Sequence, residues 1–73
     1  KKMEQNKDIE KRVKDLFTGV KATRDTKLKS QLMVEAGDIR REQYLAEDSI
    51  KQRADYRRLA NNCYLAARNF HYK

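Results

Sequence analysis

Between Leu28 and Ile50 a single apolar stripe keeps its helical phase across the middle of the chain. At about 100° per residue, Leu28, Leu32, Ala36, Ile39, Gln43, Ala46 and Ile50 stay within less than a third of a turn. The stripe passes through Gly37-Asp38, which by residue type is the strongest turn signal in a sequence with two glycines and no proline. A turn would normally reset the phase, because residues on its two sides have no reason to share one helical clock. The reading is therefore that a helix runs through Gly37 and that the glycine admits a kink or the approach of another backbone. The alternative is a four-helix hairpin arrangement broken at Gly37, with Asp38 as an N-cap.

Two other places change direction more convincingly. Gly19 and the run Thr23-Arg24-Asp25-Thr26 combine a poor helix former with good cap residues, so a first helix ends between Lys21 and Thr26. Beyond residue 50 the apolar face moves: Tyr56, Leu59, Ala60, Cys63, Ala66, Ala67 and Phe70 lie more than a third of a turn from the earlier stripe. Ser49-Ile50-Lys51-Gln52 fits a capping box, with Asp48 beside it. A break is expected within 47–53. The first helix has its own stripe, Ile9, Val13, Leu16, Phe17 and Val20, and the acid-before-base pairs Asp8/Arg12 and Glu10/Lys14.

The fold expected is an all-α, small antiparallel three-helix bundle with helices at about 3–22, 25–47 and 49–71. It is one helical domain over 1–73, or a fragment of a longer chain, since the sequence starts with Lys-Lys and not with Met. With 38% hydrophobic and 40% charged residues, each helix can bury only a narrow stripe. A 73-residue chain is also near the lower size limit for building its own core. Val34 and Leu45 lie off the main stripe, nearly in line, and are read as covering the first helix or as an external contact surface.

Two segments resemble helical-hairpin repeats of the tetratricopeptide kind over about half the chain. They are Ala36-Gly37-Asp38-Ile39 followed by Tyr44, and Tyr56-Arg57-Arg58-Leu59-Ala60 followed by Cys63, Tyr64 and Ala67. The resemblance implies a turn at Gly37-Asp38. The comparable Ala67 follows Ala36 by 31 residues, against about 34 in such repeats, and the repeat's proline is missing. No family is assigned on it. Gly37 could also mark a helix-turn-helix, with Ala36-Gly37 at the tight turn, but the residue after the glycine is usually apolar in that motif and here it is Asp38.

Chemistry-bearing constellations are missing. His71 is the only histidine, so no metal-ligand cluster forms with Cys63. The eight-residue separation of Cys63 and His71 corresponds to about 12 Å along a helix. Cys63 reads as a buried, inert thiol. The expectation is a protein without catalytic residues, cofactor, bound metal or small-molecule substrate. No apolar run reaches the roughly 20 residues of a membrane span. A single cysteine fits a reducing compartment, cytoplasmic or nuclear.

Net charge is +7, from 18 basic and 11 acidic residues, which attracts nucleic acid, anionic surfaces or acidic proteins. Two binding readings follow. In the first, the chain is a protein–protein interaction or assembly module whose partner is another protein or a second copy of itself. Tyr64, Leu65 and Tyr72 carry that contact, because they put apolar bulk on the side of the last helix that should face water. In the second, the chain binds nucleic acid through the Lys7, Lys11, Lys14 and Lys21 stripe of the first helix and the Arg57, Arg58, Asn61 and Arg68 face of the last. Arg and Asn can read base edges, and Tyr can stack on unpaired bases.

Overall fold

A computed structural model describes the backbone of residues 2–71 and the side chains of 7–71. The chain forms three helices, α1 (Lys2–Ala22), α2 (Thr26–Ala46) and α3 (Ile50–His71), joined by two three-residue connections. The connections are too short for anything but antiparallel neighbours. Glu10 meets Arg40 between α1 and α2, while Ser30 meets Ala67 and Tyr44 meets Arg53 between α2 and α3. The architecture is a small all-α antiparallel three-helix bundle.

Local chemistry places the breaks. The Asp25 carboxylate accepts from the amides of Lys27 and Leu28, satisfying donors that the first turn of α2 leaves unpaired. Thr23 closes α1 by donating its amide to the Gly19 carbonyl, and its hydroxyl accepts from the Asp25 amide. At the second break Ser49 caps α3, its hydroxyl oxygen accepting from the Gln52 amide at 3.5 Å. The Ser49 amide is taken by the Glu47 carboxylate, so Glu47 fills the role that the capping box assigns to Gln52.

Gly37 lies inside an uninterrupted α2 with an ordinary right-handed backbone. Neither the hairpin-repeat turn nor a helix-turn-helix turn is present there. What approaches Gly37 is a side chain. The Tyr64 ring rests against it, and a Cβ at position 37 would stand 2.6 Å from Tyr64 Cε1. The α2–α3 seam is otherwise built of small residues, with Ala36, Ala60, Cys63 and Ala67 all buried. Small side chains let the two helices come close over their length.

The bundle is open on one side. α2 packs against both neighbours, but α1 and α3 do not approach each other among the described residues. Leu32, which touches the α1 backbone at Gly19, and Gly37, which receives Tyr64 of α3, are five residues apart. That is about 140° around α2, while Arg40, which pairs with Glu10 of α1, lies about 60° from Gly37. The α1 contacts thus spread over a wide arc, and the lack of close backbone approach between α1 and α3 is what marks the opening. The cross-section agrees. The Cα atoms span 21 by 12 Å across the bundle, where three helices in a triangle at normal spacing span roughly 15 by 13 Å.

Opening leaves the core thin. Among the described residues Val13 is the one large side chain fully buried, and Ile9, Leu16, Phe17, Val20, Leu32, Ile39, Leu59 and Phe70 remain half-buried. Arg40 is buried, its guanidinium forked onto the Glu10 carboxylate at 2.6 and 3.0 Å and bonded to Gln43 at 2.9 Å. Glu10 thus reaches across to α2 for its partner. Val34 and Leu45 do not cover α1. They are 41% and 66% exposed, because α1 meets α2 along Leu32 and Arg40, well round the helix from them.

Candidate functional site

The antiparallel hairpin sets the last turns of α2 beside the first three turns of α3, and the side chains there enclose two adjoining depressions of about 600 and 490 Å³. Tyr44, Arg57 and Asn61 line both. Arg41 and Leu45 enter from α2; Arg53, Arg58 and Ile50 enter from α3. Four arginines therefore converge on one groove, and no carboxylate lines it.

Arg53 is the best-held of the four. Its guanidinium lies 4.6 Å from the centre of the Tyr44 ring, a cation–π contact. Its Nε is buried without a hydrogen-bond partner, leaving that nitrogen's desolvation uncompensated. Arg58 makes only a long, exposed contact of 3.7 Å with Asp55, which holds it weakly. The rim is apolar: Leu45 is 66% and Ile50 85% exposed.

Tyr64 forms one end of the groove and is anchored from below. Its hydroxyl donates to Asp38 Oδ1 at 2.6 Å. Burial, followed by that hydrogen bond, pushes the phenol up to about 12. Tyr64, expected at a partner surface, thus also holds α3 to α2. Leu65 is 54% exposed, and Tyr72 lies outside the described residues. Of the residues proposed for nucleic acid, Arg57, Arg58 and Asn61 come together at the groove. Arg68 is exposed further along α3. Lys7, Lys11, Lys14 and Lys21 are exposed on α1, which contributes nothing to the groove, so the lysine stripe and the arginine face are not brought together there.

Arg41, Tyr44 and Arg53 were not among the residues read as a site. The signal existed: Arg57 and Arg58 lie one to two turns from Arg53 on α3, but only the pairing of α2 with α3 brings Arg41 and Tyr44 to them.

Cys63 is buried in the α2–α3 seam, and burial pushes its thiol up, partly offset by the nearby Arg40 charge. Glu10 is held below the usual carboxylate range by its hydrogen bonds from Arg40, and Arg40 is raised in turn. Among the described residues, no three His, Cys, Asp or Glu side chains are grouped to hold a metal ion. No described helix is long and apolar enough to cross a membrane. No family model matches this chain, and it has no match among curated proteins or solved structures.

Proposed function

We propose that this chain is a non-enzymatic helical protein–protein interaction or assembly module whose incomplete core is covered by a partner. The observation that carries the reading is surface. A compact monomer of 8.7 kDa should expose roughly 4,700 Å², whereas this chain exposes 6034 Å². The excess, on the order of 1,300 Å², goes with the flat, elongated shape of 37 × 21 × 12 Å, which leaves apolar side chains at the surface. Part of it is the half-buried Ile9, Leu16, Phe17 and Val20 of α1 and Leu59 and Phe70 of α3. Part is the exposed Val34, Leu45, Ile50 and Leu65.

The test is photocross-linking in the cells of origin, with a benzophenone amino acid at position 65 and, as control, at position 11. A discrete protein adduct from 65 and none from 11 is expected. Nucleic-acid adducts from 65 without a protein adduct would reverse the reading.

A second reading, nucleic-acid binding, draws support from Arg57, Arg58 and Asn61 lying together beside Tyr44. It requires affinity for an oligonucleotide that falls with salt, by about 0.9 in logarithmic slope per phosphate contact. A slope near zero, or no binding at low salt, removes it.

A further inference from the structure

We propose that the arginine groove between α2 and α3 receives an acidic, amphipathic helical segment of a partner protein. This rests on the interaction-module reading and specifies the chemistry of one partner surface.

Charge selects the kind of occupant. Arg41, Arg53, Arg57 and Arg58 face the groove with no lining carboxylate. The long, exposed Arg58–Asp55 contact of 3.7 Å is the one ion pair beside it among the described residues, so the groove favours anions. Guanidinium groups pair best with carboxylates or phosphates, which match their planar fork. A second copy of this chain is a poor candidate, since each copy brings a net charge of +7 and like charges oppose association.

The rim decides between carboxylate and phosphate. Leu45 and Ile50 stand largely exposed at its edges, and the Tyr44 ring forms its floor with Arg53 already laid on it. Tyr and Arg beside desolvated apolar surface are the composition of protein hot spots. A nucleic-acid backbone would leave Leu45 and Ile50 in water, and the Tyr44 face taken by Arg53 is closed to a stacking base. A helix carrying Leu or Phe on one seam and Asp or Glu beside it answers both halves of the groove. From Ile50 to Asn61 the groove follows α3 for about 16 Å, enough to seat three turns of a partner helix. Because the Tyr44 contact already orders Arg53, binding loses little of its side-chain freedom.

The experiment is selection of a random library of displayed peptides, about 16 residues long, on the intact chain, with counter-selection on the Arg41→Glu/Arg57→Glu variant. Both positions are exposed, and the variant's circular dichroism and melting temperature confirm that it folds. Recovered peptides should be rich in Asp and Glu interleaved with Leu, Ile or Phe at helical spacing. A synthetic consensus should bind wild type at least about tenfold more tightly than the variant. Lys11→Glu/Lys14→Glu, on α1, should change affinity less than about twofold.

Neutral or basic winners, or equal binding to the charge-reversed variant, overturn the proposal. So does a random single-stranded RNA pool that displaces the consensus peptide and loses its own binding in the same variant, which assigns the groove to nucleic acid. If the groove fails while position 65 still yields a protein adduct, the groove proposal falls and the module reading stands. If no protein adduct forms at all, both fall.

Discussion

The Tyr64 ring occupies the space that any side chain at position 37 would need: a Cβ there would meet Cε1 at 2.6 Å and Cδ1 at 2.8 Å. The glycine is retained in mid-helix although it costs about 1 kcal/mol relative to alanine, because the ring packs where a methyl would be. Gly37→Ala should therefore destabilise the chain by about 1–3 kcal/mol in denaturant unfolding, overpacking outweighing the propensity gain. Gly19→Ala provides the contrast. Its Cβ would meet only the end of the half-buried, flexible Leu32 side chain at 3.2 Å, so a gain of up to about 1 kcal/mol is expected.

Tyr64→Phe keeps the ring on Gly37 and removes the bond to Asp38, and should cost about 0.5–1 kcal/mol at neutral pH. The phenol is raised in the fold to about 12 from an ordinary value near 10. Its contribution is thus present below pH about 10 and lost as pH rises from there towards 12. Wild type should lose stability across that window more than Tyr64→Phe does. The wild-type minus variant tyrosinate absorbance should titrate near the upper end.

Arg40 and Glu10 hold α1 to the hairpin through a forked pair whose arginine is buried and whose carboxylate is about half exposed. Glu10→Gln leaves the guanidinium without its counter-charge and should cost about 1–2 kcal/mol, discounted for the exposure of Glu10. Arg40→Lys keeps the charge but loses the fork and should cost a comparable amount. Glu10 is depressed in the fold, so its contribution is full above its ordinary value of about 4.3 and is lost as pH falls below it. Acid titration of stability should be shallower in Glu10→Gln.

Cys63 is buried with its thiol pushed up. Alkylation of the native chain should proceed only as fast as the α2–α3 seam opens. Reactivity in native buffer equal to that in denaturant would show the seam to be open.

Much of this fold was legible because helices of this length advertise themselves through period and caps. The Leu28–Ile50 stripe, the Asp25 cap and the swing of the face after Ser49 placed all three helices to within a residue or two of their observed ends. Ile50 departs furthest from the stripe, since it opens α3 and is 85% exposed, and Leu28 and Ala46 at the ends of α2 are exposed as well. What could not be read was the second face of α2. A middle helix must touch two neighbours, and its α3-facing side includes Gly37, Tyr44 and Ser30, none of which registers in an apolar pattern. Arg40 pairs with a residue 30 positions away, and Tyr64 fills a hole left by a glycine 27 positions before it. Both are tertiary facts with no local signature. The arginine groove was half-visible as Arg57, Arg58 and Asn61 and became a site only when α2 supplied Arg41 and Tyr44.

The central claim is that the exposed apolar side chains serve a partner and do nothing for the chain's own fold. Its most direct test is the melting temperature of the free Leu45→Lys/Leu65→Arg variant, followed by circular dichroism. Unchanged helicity and a midpoint within about 2 °C of wild type are the expected result, as for surface positions. A fall of about 10 °C or more, the signature of two lost core residues, would show that Leu45 and Leu65 stabilise the chain itself and would contradict the account.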